Sequence, residues 1–73
     1  MMPWEEYIGR FVSVLIDGKD GKVENYLGTI THFDAEPPII VLAPNNPNFN
    51  VCEILIRPDI IRSIWVYKDN IPP

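Results

Sequence analysis

GTITHFDAEPPIIVL, residues 28–42, is the stretch whose reading decides the fold. It opens on a glycine, alternates apolar residues as far as Phe33-Asp34, breaks at two consecutive prolines and resumes with four aliphatics from Ile39. Glycine weakens the interior of a strand, and one found there often marks a sharp bend or the close approach of another backbone. Ile30 and Phe33 are out of phase for one flat face, which predicts a bulge or strong twist between them. Pro37 and Pro38 remove two amide donors, so the chain is expected to leave the ladder there. The reading is a long strand bent at Gly28, a stiff turn, and a short strand over Ile39–Leu42.

Working upstream, Val12, Val14 and Ile16 alternate with Phe11, Ser13 and Leu15, so the first three are the candidate core face of a strand. The run ends at Asp17-Gly18, and DGKDG offers two glycines able to take positive φ. The long strand then covers Val23 to Asp34. Pro3 to Ile8 has the signs of a short helix: Pro3 at its first position, Glu5 and Glu6 at the positive end of the dipole, Gly9 as its stop. Such a helix is too short to stand alone and must dock through Trp4, Tyr7 or Ile8.

Downstream, APNNPNFN is a turn-rich loop, Val51 to Arg57 a fourth strand, Pro58-Asp59 a tight break and Ile60 to Tyr67 a fifth strand. The tail KDNIPP is expected to fray. A short helix followed by five strands of these lengths predicts an all-β fold, a small strongly bent barrel, over the single domain 1–73.

At 73 residues the chain is one domain at most. A domain of this size buries only about 60% of the surface its unfolded chain exposes. Cys52 is the sole cysteine, which rules out an intrachain disulfide, and Cys52 and His32 are too few for a structural zinc site. Oligomerisation is the remaining source of burial, in keeping with the 47% apolar content. Ten acidic against six basic residues give a net charge of −4, so any nucleic-acid site has to be a local basic one. The first residues, MMPWEEYIGR, lack the positive region of a signal peptide, and no apolar run is long enough for a membrane span. With one free thiol, a soluble, cytoplasmic protein with no cofactor is expected.

Two segments resemble the motifs of the Sm and Sm-like (LSm) family. GRFVSVLIDG with YLGTITHFD and IIVL is similar to the first Sm motif: alternating valines, an Asp-Gly turn, a mid-strand glycine, and a Phe-Asp pair before a short strand. ILIRPDIIRSI is similar to the second, in its archaeal and eukaryal style, and lacks the Tyr-Lys-His pattern of the bacterial RNA chaperone. Together they span Gly9 to Ile64. The resemblance implies an Sm-like (SH3-like) barrel behind an N-terminal α-helix, and a homo-oligomeric ring of roughly five to eight copies closed by strand four of one copy on strand five of the next. Leu55, Ile60 and Trp65 fall off the expected core face and are candidates for that interface, with Val51 and Cys52 beside them; the alternative is that they complete a monomer's core.

The resemblance also implies single-stranded RNA held at the inner rim of the ring by two loops. Asp34 matches the family's base-orienting aspartate and Arg57 its stacking arginine, with His32, Glu36, Pro37, Pro38 and Pro58 around them. A guanidinium plane suits bases splayed from a single strand. This chain departs from the family in three places. Pro37 or Pro38 stands at the base-contacting asparagine, Pro58 replaces the glycine after the arginine, and Glu36 adds negative charge. Asp34 and Arg57 have an alternative reading as an ion pair or turn-capping pair, and the barrel one as a protein–protein assembly module. Catalysis has no foothold: His32 has no nucleophile in a known motif, Cys52 reads as a small hydrophobe, and no paired-carboxylate spacing occurs.

Overall fold

The computed structural model describes residues 3–69. Five antiparallel strands form one sheet: β1 Phe11–Asp17, β2 Val23–Ala35, β3 Pro38–Pro44, β4 Ile54–Ile56 and β5 Ile61–Val66. Their order is β4-β3-β2-β1-β5, which leaves β4 and β5 as the two edges. Among the described residues no helix is long and apolar enough to cross a membrane.

β2 is the axis of the sheet. Its first half pairs with β1, from Asp17↔Val23 to Phe11↔Thr29, and its second half with β3, from Gly28↔Pro44 to Ala35↔Pro38. The two pairings overlap at Gly28 and Thr29. A Cβ at Gly28 would run into the carbonyl of Ala43, so only glycine lets β3 come this close. The expected bulge is present: the β2–β3 register shifts between Ile30 and His32. Pro37 lies in the turn, as expected. Pro38 does not leave the ladder but opens β3 opposite Ala35, a first-strand position that proline tolerates.

One face of the sheet buries Val12, Val14, Ile16, Ile30, Ile40, Leu42 and Ile56, closed by Trp4. The valine alternation of β1 therefore reads correctly as the core face. Phe11 alternates with these residues, on the other face, and is nevertheless buried, packed against the Tyr67 ring at 5.2 Å between centroids.

Three expectations are corrected. The N-terminal α-helix is a four-residue 3-10 turn, Trp4–Tyr7, too short to propagate α-helical bonds, and Gly9 ends it at φ 89°. The fourth strand is Ile54–Ile56 and not Val51–Arg57: Cys52 would meet Pro44, which has no N–H to give the ladder. In DGKDG the positive φ values belong to Asp20 and Gly21, while Gly18 is extended. Of the tail, Asn70–Pro73 lies outside the described residues.

The link from β4 to β5 is only Arg57–Ile60, and Pro58–Ile60 within it is a 3-10 turn. Such a link reaches about 13 Å. Four strand spacings in a flat sheet come to about 19 Å. The sheet must curl, and it brings the end of β4 toward the β1–β2 turn.

Candidate functional site

Arg57 is placed by two constraints. It follows Ile56, whose partner is Ile40, so it stands one position past the last β3–β4 pair, level with Ile39 and Asp34. The curl then sets it over a hollow of about 790 Å³ shared with the β1–β2 turn, including Asp17, Lys19, Lys22 and Glu24. Ile60 forms its floor beside the core, so of the interface candidates Ile60 is the one drawn inward.

Four of the chain's six basic residues gather here. Arg57, Lys19 and Lys22 line the hollow, and Arg62 reaches its rim through Asp17, Nε to Oδ1 at 3.4 Å. Arg62 is the extra residue of a β1–β5 register shift between Leu15 and Ile16, which turns its side chain out of the alternation. The acids interleave with these bases. Arg57 Nε lies 3.6 Å from Asp59 Oδ1, and Glu24 accepts the Tyr26 hydroxyl at 2.6 Å. That hydrogen bond is the main reason the Tyr26 phenol is raised above its ordinary pKa of 10.0, with burial and the Glu24 charge adding to it. Lys19 and Lys22 are in no ion pair among the described residues. The hollow thus holds two paired and two uncommitted cations, all near solvent, where each pair contributes about 1 kcal/mol or less.

Asp34 lies on the flank of this site. It accepts from or is bridged by His32, Nε2 to Oδ1 at 3.1 Å, on the exposed side of β2. His32 opposes Val41, and Val41 opposes Leu55, so His32, Val41 and Leu55 share one outward row, with Asp34 and Ile39 in the next. Asp34 and Arg57 are level on the sheet but two strands apart, about 10 Å. Each is paired with its own neighbour two residues away and not with the other. Glu36 and Pro37 are exposed in the β2–β3 turn, which contains a cis Glu36–Pro37 bond, Pro38 is exposed at the start of β3, and Pro58 is half-buried in the last turn.

Among the described residues Leu55 and Trp65 are the most exposed large hydrophobics, at 64% and 66%. Val51 and Cys52 are exposed ahead of β4 and outside its ladder. Asp17, Asp20 and Glu24 line the hollow and have no signal in the sequence. Only the curl of the sheet brings the 17–24 turn to Arg57, though the i, i+2 spacing of Arg57 and Asp59 does suggest a local pair.

No protein-family model, curated protein or solved structure matches the chain.

Proposed function

We propose that the protein is an Sm-like, ring-forming protein that holds single-stranded RNA on the Arg57 side of the ring. The observation that carries the RNA reading is the gathering of Arg57, Lys19, Lys22 and Arg62 at one hollow in a chain that is acidic overall. Salt screens charges beyond about 8 Å, so acids elsewhere on the chain weigh little against cations at contact distance. Arg57 offers a flat cation for a base, and Lys19 and Lys22 offer charges for the phosphates on either side of it. Asp34, held by His32 on the adjoining row, is available to orient a base edge.

Ring formation is supported by the two edges. Closing β4 of one copy on β5 of the next removes both free ladders at once, and each otherwise exposes unpaired backbone groups. It makes a barrel-like wall continuous from copy to copy, and it places several Arg57 hollows around one opening. Asp17, Asp20, Glu24 and Asp59 beside the same cations favour a second reading, a ring that docks a protein of mixed charge there and does not bind RNA. Native mass spectrometry with and without short oligo-U and oligo-A separates the two. Rings that gain oligonucleotide mass support RNA binding, rings that gain none support assembly, and monomers overturn both.

A further inference from the structure

On the outward face of β5, β1 and β2 two hollows adjoin, and they share Asn25 and Leu27. The first, of about 260 Å³, is walled by Trp65 and Tyr67. The second, of about 360 Å³, ends at Phe49 in the loop after β3. None of the residues lining either hollow is charged, in contrast to the Arg57 hollow. We propose that this Trp65-to-Phe49 groove docks a proline-rich peptide segment in the polyproline II conformation.

Three features select that occupant. The first is charge: a polyanion needs cations to replace its counterions, and the lining supplies none. The second is the hydrogen-bonding sense. Asn25 Oδ1 is occupied by the Ser13 hydroxyl at 2.7 Å, and Asn46 Oδ1 by the Asn48 N–H at 2.9 Å. Both amides keep their N–H donors for a ligand, and the Trp65 indole is a donor as well. Polyproline offers carbonyls with no internal partners and no N–H groups, so its needs are acceptor-only. The third is spacing. Leu27, Ser13 and Trp65 are consecutive partners on β2, β1 and β5, which puts Leu27 and Trp65 two strand spacings apart, about 9.6 Å. One three-residue turn of polyproline II advances about 9.3 Å, so successive ridges of the ligand meet Trp65 and then Leu27 on the way to Phe49.

The anchors are held in place. Tyr67 stacks on buried Phe11, its carbonyl accepts from Arg10 at 2.6 Å, and its N–H donates to Phe11 at 3.1 Å. Pairing of β5 with another copy would use its backbone edge and bring the partner's Leu55 beside Trp65, at one end of the groove, whose lining comes from a single chain.

Fluorescein-labelled decaproline titrated with the full chain tests the proposal by anisotropy, with a glycine-serine peptide of equal length and oligo-A as comparison ligands. Light scattering is recorded on every sample, so a failed ring is seen separately. Saturable binding of decaproline, with Trp65→Ala and Phe49→Ala each weakening it about tenfold, is the expected result. Phe49 is in an exposed loop, so its variant reports on the groove even if Trp65→Ala disturbs folding. No saturation at millimolar protein, equal binding of the glycine-serine peptide, or displacement of decaproline by oligo-A overturns the assignment. So does binding unchanged in Phe49→Ala.

Discussion

Leu55 and Trp65 stand on the same face of the sheet, one on each of its two edges. Leu55 opposes Val41 on β3 and Trp65 opposes Ser13 on β1. The inward residues of the same strands, Ile54 and Ile56 on β4 and Ile64 and Val66 on β5, pack on the core and are not fully covered except for Ile56. An edge-to-edge contact between copies would therefore join like to like on both faces, with Leu55 beside the partner's indole and the half-buried aliphatics continuing the core.

That relationship sets the first expectation, an assembly with no stable monomer at micromolar concentration. Leu55→Asp should dissociate it, because a carboxylate without a partner costs several kcal/mol when buried but little on a monomer's surface. Light scattering measures the mass. A wild-type monomer of 8.4 kDa would remove the ring from consideration.

Gly28→Val tests the bend. The new side chain would collide with the Ala43 carbonyl, and its Cβ would lie 2.9 Å from the Ala43 carbonyl carbon, a backbone obstacle that no rotamer relieves. Overpacking of this kind costs about 1–3 kcal/mol or more, a large share of a small domain's stability. Loss of soluble protein or a clearly lowered melting temperature is expected, and an unchanged melting temperature would contradict the β2–β3 register.

The strands around Gly28 were legible because each carries its reason locally. Alternation gives Val12, Val14 and Ile16 their face, and the phase error between Ile30 and Phe33 gives the bulge. The fourth strand was overextended because its end is decided by Pro44, a residue 8 positions away from Cys52 that only the pairing register brings opposite it. The same limit applies to the site. The i, i+2 spacing of His32 with Asp34 and of Arg57 with Asp59 suggests the local pairs that form, yet nothing local says that Asp34 and Arg57 do not pair with each other. Lys19 and Lys22 reach Arg57 only through the curl of the whole sheet. Phe49 lies in a loop with no periodic signal, and Tyr67, the expected last residue of the fifth strand, falls just past β5.

Tyr26 gives a pH readout of the hollow's edge. Its phenol is raised above 10.0 by the hydrogen bond to Glu24. A raised folded-state pKa means that the folded chain keeps this proton where the unfolded chain gives it up. Its stabilising effect is complete below about pH 10 and is lost as pH rises through the folded value. Phenolate absorbance, taken as the difference between wild type and Tyr26→Phe, should show the transition above 10.0. Glu24→Gln should move it back down; if it does not, Glu24 is not the partner in solution.

RNA binding, if Arg57 carries it, should prefer single strands to duplexes and weaken as salt rises. For single strands the logarithm of the affinity falls with the logarithm of salt by about 0.7 for each phosphate contact. Lys19→Ala and Lys22→Ala should each reduce that slope by roughly this amount while weakening binding to oligo-U and oligo-A alike. Arg57→Ala should abolish most binding with the oligomer intact, because it removes a stacking plane as well as a charge. It also leaves Asp59 without its cation, so Asp59→Ala is the needed companion: it frees the Arg57 guanidinium and should strengthen binding. Lys68→Ala, beyond β5 and outside the hollow, should change little. Fluorescence anisotropy at two salt concentrations reads all of these. Binding that ignores Arg57, or none at low salt, would move the Arg57 hollow to the assembly reading, in which Asp17, Asp20, Glu24 and Asp59 matter as much as the cations they adjoin.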